Sequence, residues 1–152
     1  MDTIKHENQV LFVGSYTHQL DTKKRIIFPS SWRNLVGINQ QIFAFPHPEQ
    51  PCLFLYLKDE MLRRIDKLRD LDIMESQDHK AVRSIAAGSE LLQWDTQGRI
   101  RLGSHLLRAI DAKEQIVLVG VLSRIEIWSL EHFDLALPQD SSLANELFYN
   151  GY

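Results

Sequence analysis

Two short segments constrain this 152-residue chain more than anything else in it. Residues 21–28 read DTKKRIIF and residues 95–102 read DTQGRIRL, with Asp, Thr, Arg and Ile in the same places at an offset of 95 − 21 = 74. Each reads as a tight turn running into a β-strand. The likeness extends in both directions. VLFVGSYTHQL, β-branched and aromatic, precedes the first turn as a strand ending at Leu20, and SELLQW stands in the same place before the second. After each turn a short strand is expected, at 25–28 and 99–102. A helix signal follows, with Ser30 and Ser104 read as N-caps and Gly37 as the left-handed residue closing the first.

QIFAF at 41–45 then matches QIVLV at 115–119, and CLFLYL matches RIEIWS, with Tyr56 and Trp128 near the ends. Each copy closes with a helix. Asp59 opens EMLRRIDKLRDL, in which Met61, Leu62, Ile65 and Leu68 recur at helical spacing. Ser129 opens LEHFDLAL, which Pro138 stops, and SQDHKAVRSIAAG between the copies reads as a linking helix ended by Gly88. Each unit is thus strand, turn, strand, short helix, strand, turn, strand, helix. One such unit of about 50 residues would hold only a marginal core, whereas two interleaved units bury a shared one. A pseudo-two-fold axis would bring the two turns together. The expected class is mainly β with short helices (α+β).

The turn chemistry is specific. Gly98 occupies the left-handed position of a three-residue loop of the type I plus bulge kind, and Asp95 can accept from N–H groups of its own loop. The first copy places Lys24 at the glycine position, which either costs about 1 kcal/mol or more, if the residue stays left-handed, or lets the first loop relax to another shape. Asp21 with Arg25, and Asp95 with Arg99, admit two roles. They are structural braces across their loops, or the arginines project to read DNA, for which a planar fork spanning guanine O6 and N7 is suited.

Composition narrows the function classes. The hydrophobic share of 44% and charged share of 24% are those of a globular chain, and no apolar run approaches a membrane span. The opening MDTIKHENQ has neither a basic n-region nor an apolar h-region, so export is not expected. Cys52 is the single cysteine; it fits a reducing cytoplasm and reads as a small core residue. The net charge of −3 does not itself favour nucleic acid, but charge is segregated. Lys23, Lys24, Arg25 and Arg33 gather near the first turn, and Arg99, Arg101 and Arg108 near the second. Asp59, Glu60, Asp66, Asp70, Asp72, Glu75 and Asp78 fall between. A basic patch acts locally, over about 10 Å.

Other chemistries find little support. His18, His47, His79, His105 and His132 are scattered without ligand spacing, so no metal or other cofactor is expected. No phosphate-cradling glycine loop or nucleophile elbow occurs, and Trp32, Phe43, Phe54, Tyr56, Trp94 and Trp128 read as core packing. Asp21 and Asp95 as a catalytic carboxylate pair would each sit beside an arginine that keeps them charged, a poor state for a general acid. The expectation is a non-enzyme. In the tail, Leu143, Leu147 and Phe148 could form one apolar stripe, with disorder the favoured reading.

LDTKKRIIFPSSWR resembles the first signature of the MraZ proteins, and WDTQGRIRLGSHLLR with EQIVLVGVLSRIEIW resembles the second. The resemblance covers residues 12–133. It implies two tandem AbrB-like swapped-hairpin units, at 10–58 and 87–131, with linking helices at 59–86 and a C-terminal helix and tail at 132–152. It also implies a bacterial transcriptional regulator, cytoplasmic and nucleoid-associated, that binds short direct repeats upstream of its own division and cell wall operon as a ring-shaped homo-oligomer. The family's DNA-facing arginines fall on Arg25 and Arg99, with Lys23 and Lys24 beside the first; Asp21, Asp95 and Gly98 structure the turns. Lys24 replaces the glycine usual in the first loop, and Gly103 the proline usual after the second short strand. A competing reading from another class is an antitoxin-like protein-interaction module built on the same fold.

Overall fold

The strand that enters each repeated turn and the strand that leaves it belong to different sheets. In the computed structural model of the chain, residues 10–37, 40–70, 76–137 and 146 are described. The first copy runs β1 (Ser15–Gln19), β2 (Arg25–Ile27), α1 (Ser30–Val36), β3 (Ile42–Pro46), β4 (Cys52–Leu57) and α2 (Lys58–Asp70). After α3 (Ser76–Ala87) the second runs β5 (Glu90–Leu92), β6 (Arg99–Arg101), α4 (Ser104–Ala109), β7 (Gln115–Val121), β8 (Arg124–Ser129) and α5 (Leu130–Ala136). The sequence of elements is the expected one, and the fold is mainly antiparallel sheet with short helices.

Six strands form one sheet in the order β1-β7-β8-β4-β3-β5, and β2 pairs with β6 in a separate ribbon. Exchange of the copies maps this order onto itself, and the register obeys the same exchange. Tyr16 faces Leu118, and 74 residues on from Tyr16, Glu90 faces Ala44. Two pairs join a residue to its own repeat: Ile26 with Ile100 in the ribbon, and Leu53 with Ile127 between β4 and β8. All four are buried, so the chain's internal two-fold relation runs through its core.

The ribbon, α1 and α4 cover one face of the sheet. Trp32 from α1 is its largest filler, 1% exposed. It meets Phe12, Tyr16 and Phe28 edge-on at 5.1–5.7 Å between ring centroids, and its Nε1 donates to the Val13 carbonyl at 3.1 Å. The other face carries Phe45, Cys52, Tyr56 and Trp128 beneath the remaining helices. There Arg64 of α2 lies over the Tyr56 ring, 4.5 Å from its centroid.

Several local expectations are corrected. Ser30 and Ser104 are the first residues of α1 and α4; the N-cap positions belong to Pro29 and Gly103, and neither helix has a side-chain cap. Proline fits there because its fixed φ suits a helix entrance and its missing N–H is not needed. Ser129 does cap α5, accepting from the His132 N–H. The strand expected from residue 10 starts at Ser15, because Gly14 turns the chain at φ 93° and leaves Phe12 in an isolated bridge to Leu122. α2 begins at Lys58, one residue early, with Met61 and Ile65 half-buried while Leu62 is 48% exposed. Asp72, Glu75, Pro138, Leu143, Leu147 and Phe148 lie outside the described residues, as do the side chains of Leu68, Asp70, Asp78 and His79.

The packing of Trp32 gives a direct test. Trp32→Ala should lower unfolding stability by about 3–5 kcal/mol, read as a lower urea midpoint. Leu35→Ala, one turn along on the exposed side of α1 (54% exposed), should change it by less than about 0.5 kcal/mol.

Candidate nucleic-acid interface

Both DTxxR segments close as three-residue loops by the same bonds. In the first, the Asp21 N–H donates to the Arg25 carbonyl and the Lys24 N–H to the Asp21 carbonyl, each at 3.1 Å. In the second, Asp95 to Arg99 and Gly98 to Asp95 repeat this at 2.9 Å. Both loops hold a left-handed residue at the matching position, with φ 61° at Lys24 and 80° at Gly98. Of the two outcomes open to the first loop, Lys24 takes the strained one, a non-glycine residue in the left-handed region.

Each Asp organises its loop and its arginine together. Asp21 Oδ1 accepts the Lys23 and Arg25 N–H groups at 2.8 and 2.9 Å, and Oδ2 accepts Arg25 Nε at 2.7 Å. Asp95 does the same with Gln97 N, Arg99 N and Arg99 Nε at 2.8–2.9 Å. Among the described residues only Nε of each guanidinium is engaged, so both terminal amino groups extend beyond the brace. Desolvation pulls the Asp21 pKa up, but the bonds from Arg25 and Lys23 together outweigh it and leave the carboxyl below its usual range. For Asp95 the Arg99 N–H bond is the leading cause of a similar lowering, only partly offset by desolvation. Neither carboxylate is suited to donate a proton at neutral pH.

The ribbon sets the two loops side by side. Phe28 N–H donates to the Gly98 carbonyl at 2.8 Å and Leu102 N–H to the Lys24 carbonyl at 3.0 Å. Between these bonds Ile26 and Ile100 point inward, while Arg25, Ile27, Arg99 and Arg101 alternate outward. Lys23 is exposed beside them. Lys24 reaches across to α4, where its Nζ donates to Ser104 Oγ at 2.9 Å. It closes one side of a depression of about 720 Å³ that Arg108 also lines.

Arg33, which the sequence groups with the first turn, belongs with the second. A Cβ on Gly98 would land on its guanidinium, and Arg33 Nε is buried with no hydrogen-bond partner among the described residues. Each loop therefore has one further cation at its left-handed residue: Lys24 itself in the first, Arg33 brought by α1 in the second. Sequence reading assigned no role to Arg101 or Arg33, because the pairing of β2 with β6 is not visible in either segment alone.

Gly103 also has a structural reason. Its N–H donates to Glu90 Oε2 at 3.3 Å, and a Cβ there would approach Glu90 Oε1 to 2.5 Å. A proline would have neither that N–H nor that space. Among the described residues no His, Cys, Asp and Glu group could hold a metal ion. Cys52 is buried, as expected, and burial, with the Glu126 carboxylate adding to it, pushes its thiol up to about 12. No helix among the described residues is long and apolar enough to cross a membrane.

Residues 85–146 match the family model described as "MraZ protein, putative antitoxin-like". A protein from Clostridium acetobutylicum named "Transcriptional regulator MraZ" is 35% identical over 121 residues, covering 80% of this chain and 83% of that one. The chain belongs to the MraZ family. Similar MraZ relatives occur in Natranaerobius thermophilus, at 33% identity over 89% of this chain and 93% of the relative, and in Alkaliphilus metalliredigens, at 32% over 92% and 95%. Both carry the same name, that of a regulator rather than an enzyme.

The braces have a pH signature. Because both folded-state pKa values lie below the ordinary carboxylate value, their contribution is present above about pH 4 and is lost as pH falls through the folded values. NMR titration of the carboxyl carbons should give midpoints for Asp21 and Asp95 below about 3.9. Asp95→Asn should lower the melting temperature at pH 7 and narrow the gap between pH 7 and pH 3. Midpoints at or above 3.9 would remove the brace.

Proposed function

We propose that this chain is a sequence-specific DNA-binding transcriptional regulator. The observation that carries the proposal is the paired loops, in which two arginines are held by Nε and their terminal amino groups have no partner among the described residues, on one basic face. In this reading Arg25 and Arg99 contact base edges, while Lys23 and Lys24 contact phosphates. Lys24 keeps two further N–H donors beyond the one on Ser104. Asp21, Asp95 and Gly98 shape the turns. Residues 10–58 and 87–131 are the two AbrB-like units, joined by helices at 59–86 and followed by a helix and tail at 132–152. The names of the relatives support the regulatory role.

The finer reading follows from the size of the face. A small patch reads only a few base pairs, so useful affinity requires several linked copies acting at once. Head-to-tail contacts that close into a ring display identical patches in one sense, which suits short direct repeats better than palindromes. We therefore infer a ring-shaped homo-oligomer on direct repeats upstream of its own division and cell wall operon, in the cytoplasm and on the nucleoid. Light scattering at micromolar concentration should give an assembly larger than a dimer. A monomer with full affinity for that DNA would contradict it.

The family description's antitoxin-like wording keeps a second reading, a protein-interaction module whose tail wraps a toxin. A toxin gene beside this one would favour it, and division genes would count against it.

Mobility-shift titrations on the chain's own upstream DNA test the principal reading. Arg25→Ala and Arg99→Ala should each weaken binding by about 1–3 kcal/mol for every base edge the side chain reads, with little recovery in Arg→Lys. Lys23→Ala should instead weaken binding to all DNA alike and reduce the salt slope by about one unit. Folded arginine variants that melt early yet bind the upstream DNA normally would leave only the brace.

A further inference from the structure

The outward face of the ribbon breaks the two-fold relation of its backbone. Across the axis, Arg25 matches Arg99, but Ile27 matches Arg101 (27 + 74 = 101). The register sets Arg25 opposite Arg101 and Ile27 opposite Arg99. Backbone bonds join Lys24 to Leu102 and Phe28 to Gly98, so the alternation of an antiparallel ladder makes Arg25–Arg101 a non-hydrogen-bonded pair. In such pairs the side chains stand closest, and like charges directly opposite are unfavourable.

A carboxylate offsets the charge on only one side of that pair. Asp21 engages Arg25, whereas Arg101 is exposed and forms no hydrogen bond or ion pair with any described side chain. It reaches the same surface as the two braced arginines without a carboxylate of its own. Opposite Arg99, Ile27 is 49% exposed and gives the other half an apolar tip. One half of the face is therefore arginine beside arginine, and the other is arginine beside isoleucine.

We propose that Arg101 is a further base-reading residue, working with Arg25 across the ribbon, and that Ile27 fills its place in the other half. The inference rests on the DNA-binding reading of the face and adds direction to it. A guanidinium in the groove selects a guanine edge, and an isoleucine tip at the related step selects an apolar edge such as the thymine methyl. The target of one chain is accordingly not a palindrome, even though the backbone that reads it is nearly two-fold.

The test is selection from a random duplex pool by the full-length chain and its Arg101→Ile, Arg101→Lys, Ile27→Arg and Arg25→Ala variants, with melting temperatures alongside. Arg101→Ile should melt no lower than the parent, since it removes a like-charge neighbour. Its preference at one base position should fall about tenfold or more while the others stay. Arg101→Lys should not restore that preference, because a point charge lacks the fork. Ile27→Arg should acquire a guanine preference at the related position and make the selected sequence more symmetric. An unchanged motif in Arg101→Ile, or an equal weakening on all sequences, would overturn the base-reading role of Arg101 while Arg25→Ala still abolishes the motif. A wild-type motif in Arg25→Ala would instead overturn the DNA-reading face as a whole.

Discussion

The structure depends on the chain pairing with its own repeat. Ile26 against Ile100 and Leu53 against Ile127 are the contacts where residue and copy meet. Neither copy could bury these residues alone, because each offers a single strand to each pair. Once they pair, β1 must cross to β7 and β5 to β3, and the two loops have nowhere to go but side by side. Position on the proposed recognition face is thus a consequence of core packing. The Phe28–Gly98 and Lys24–Leu102 backbone bonds then hold the loops at hydrogen-bond distance from each other's strands.

The brace and the reading of DNA are compatible roles for the Asp–Arg pairs. An exposed pair of this kind contributes little stability, but it fixes orientation. With Nε tied to Oδ2 and Oδ1 tied to two loop N–H groups, the guanidinium plane is set by the loop itself. Less side-chain freedom is then given up when a ligand binds. The same economy explains why Asp cannot serve here as an acid: the bonds that orient the arginine are those that lower the carboxyl pKa.

Much of this was legible in the sequence because the repeat supplied its own control. The element order and the paired turns follow from local chemistry read twice at an offset of 74, and the left-handed Gly98 and the cap at Ser129 from the second copy alone. The errors came where tertiary neighbours decide. Ser30 and Ser104 look like caps, yet Pro29 and Gly103 hold those positions with extended backbones. Gly103 is explained by Glu90, 13 residues away, and Arg33 by the loop of the opposite copy. Arg101 has no local signal at all; its meaning comes from the residue it faces.

A structure of the full chain with its own upstream duplex DNA would test the central claim most directly, through the distances from each guanidinium to the nucleic acid. The account predicts Arg25 and Arg99 of one chain within hydrogen-bond reach of the same short stretch of one groove, each still bound through Nε to Asp21 or Asp95. DNA lying on α2 or α5, or on one loop with the other turned to solvent, would contradict it.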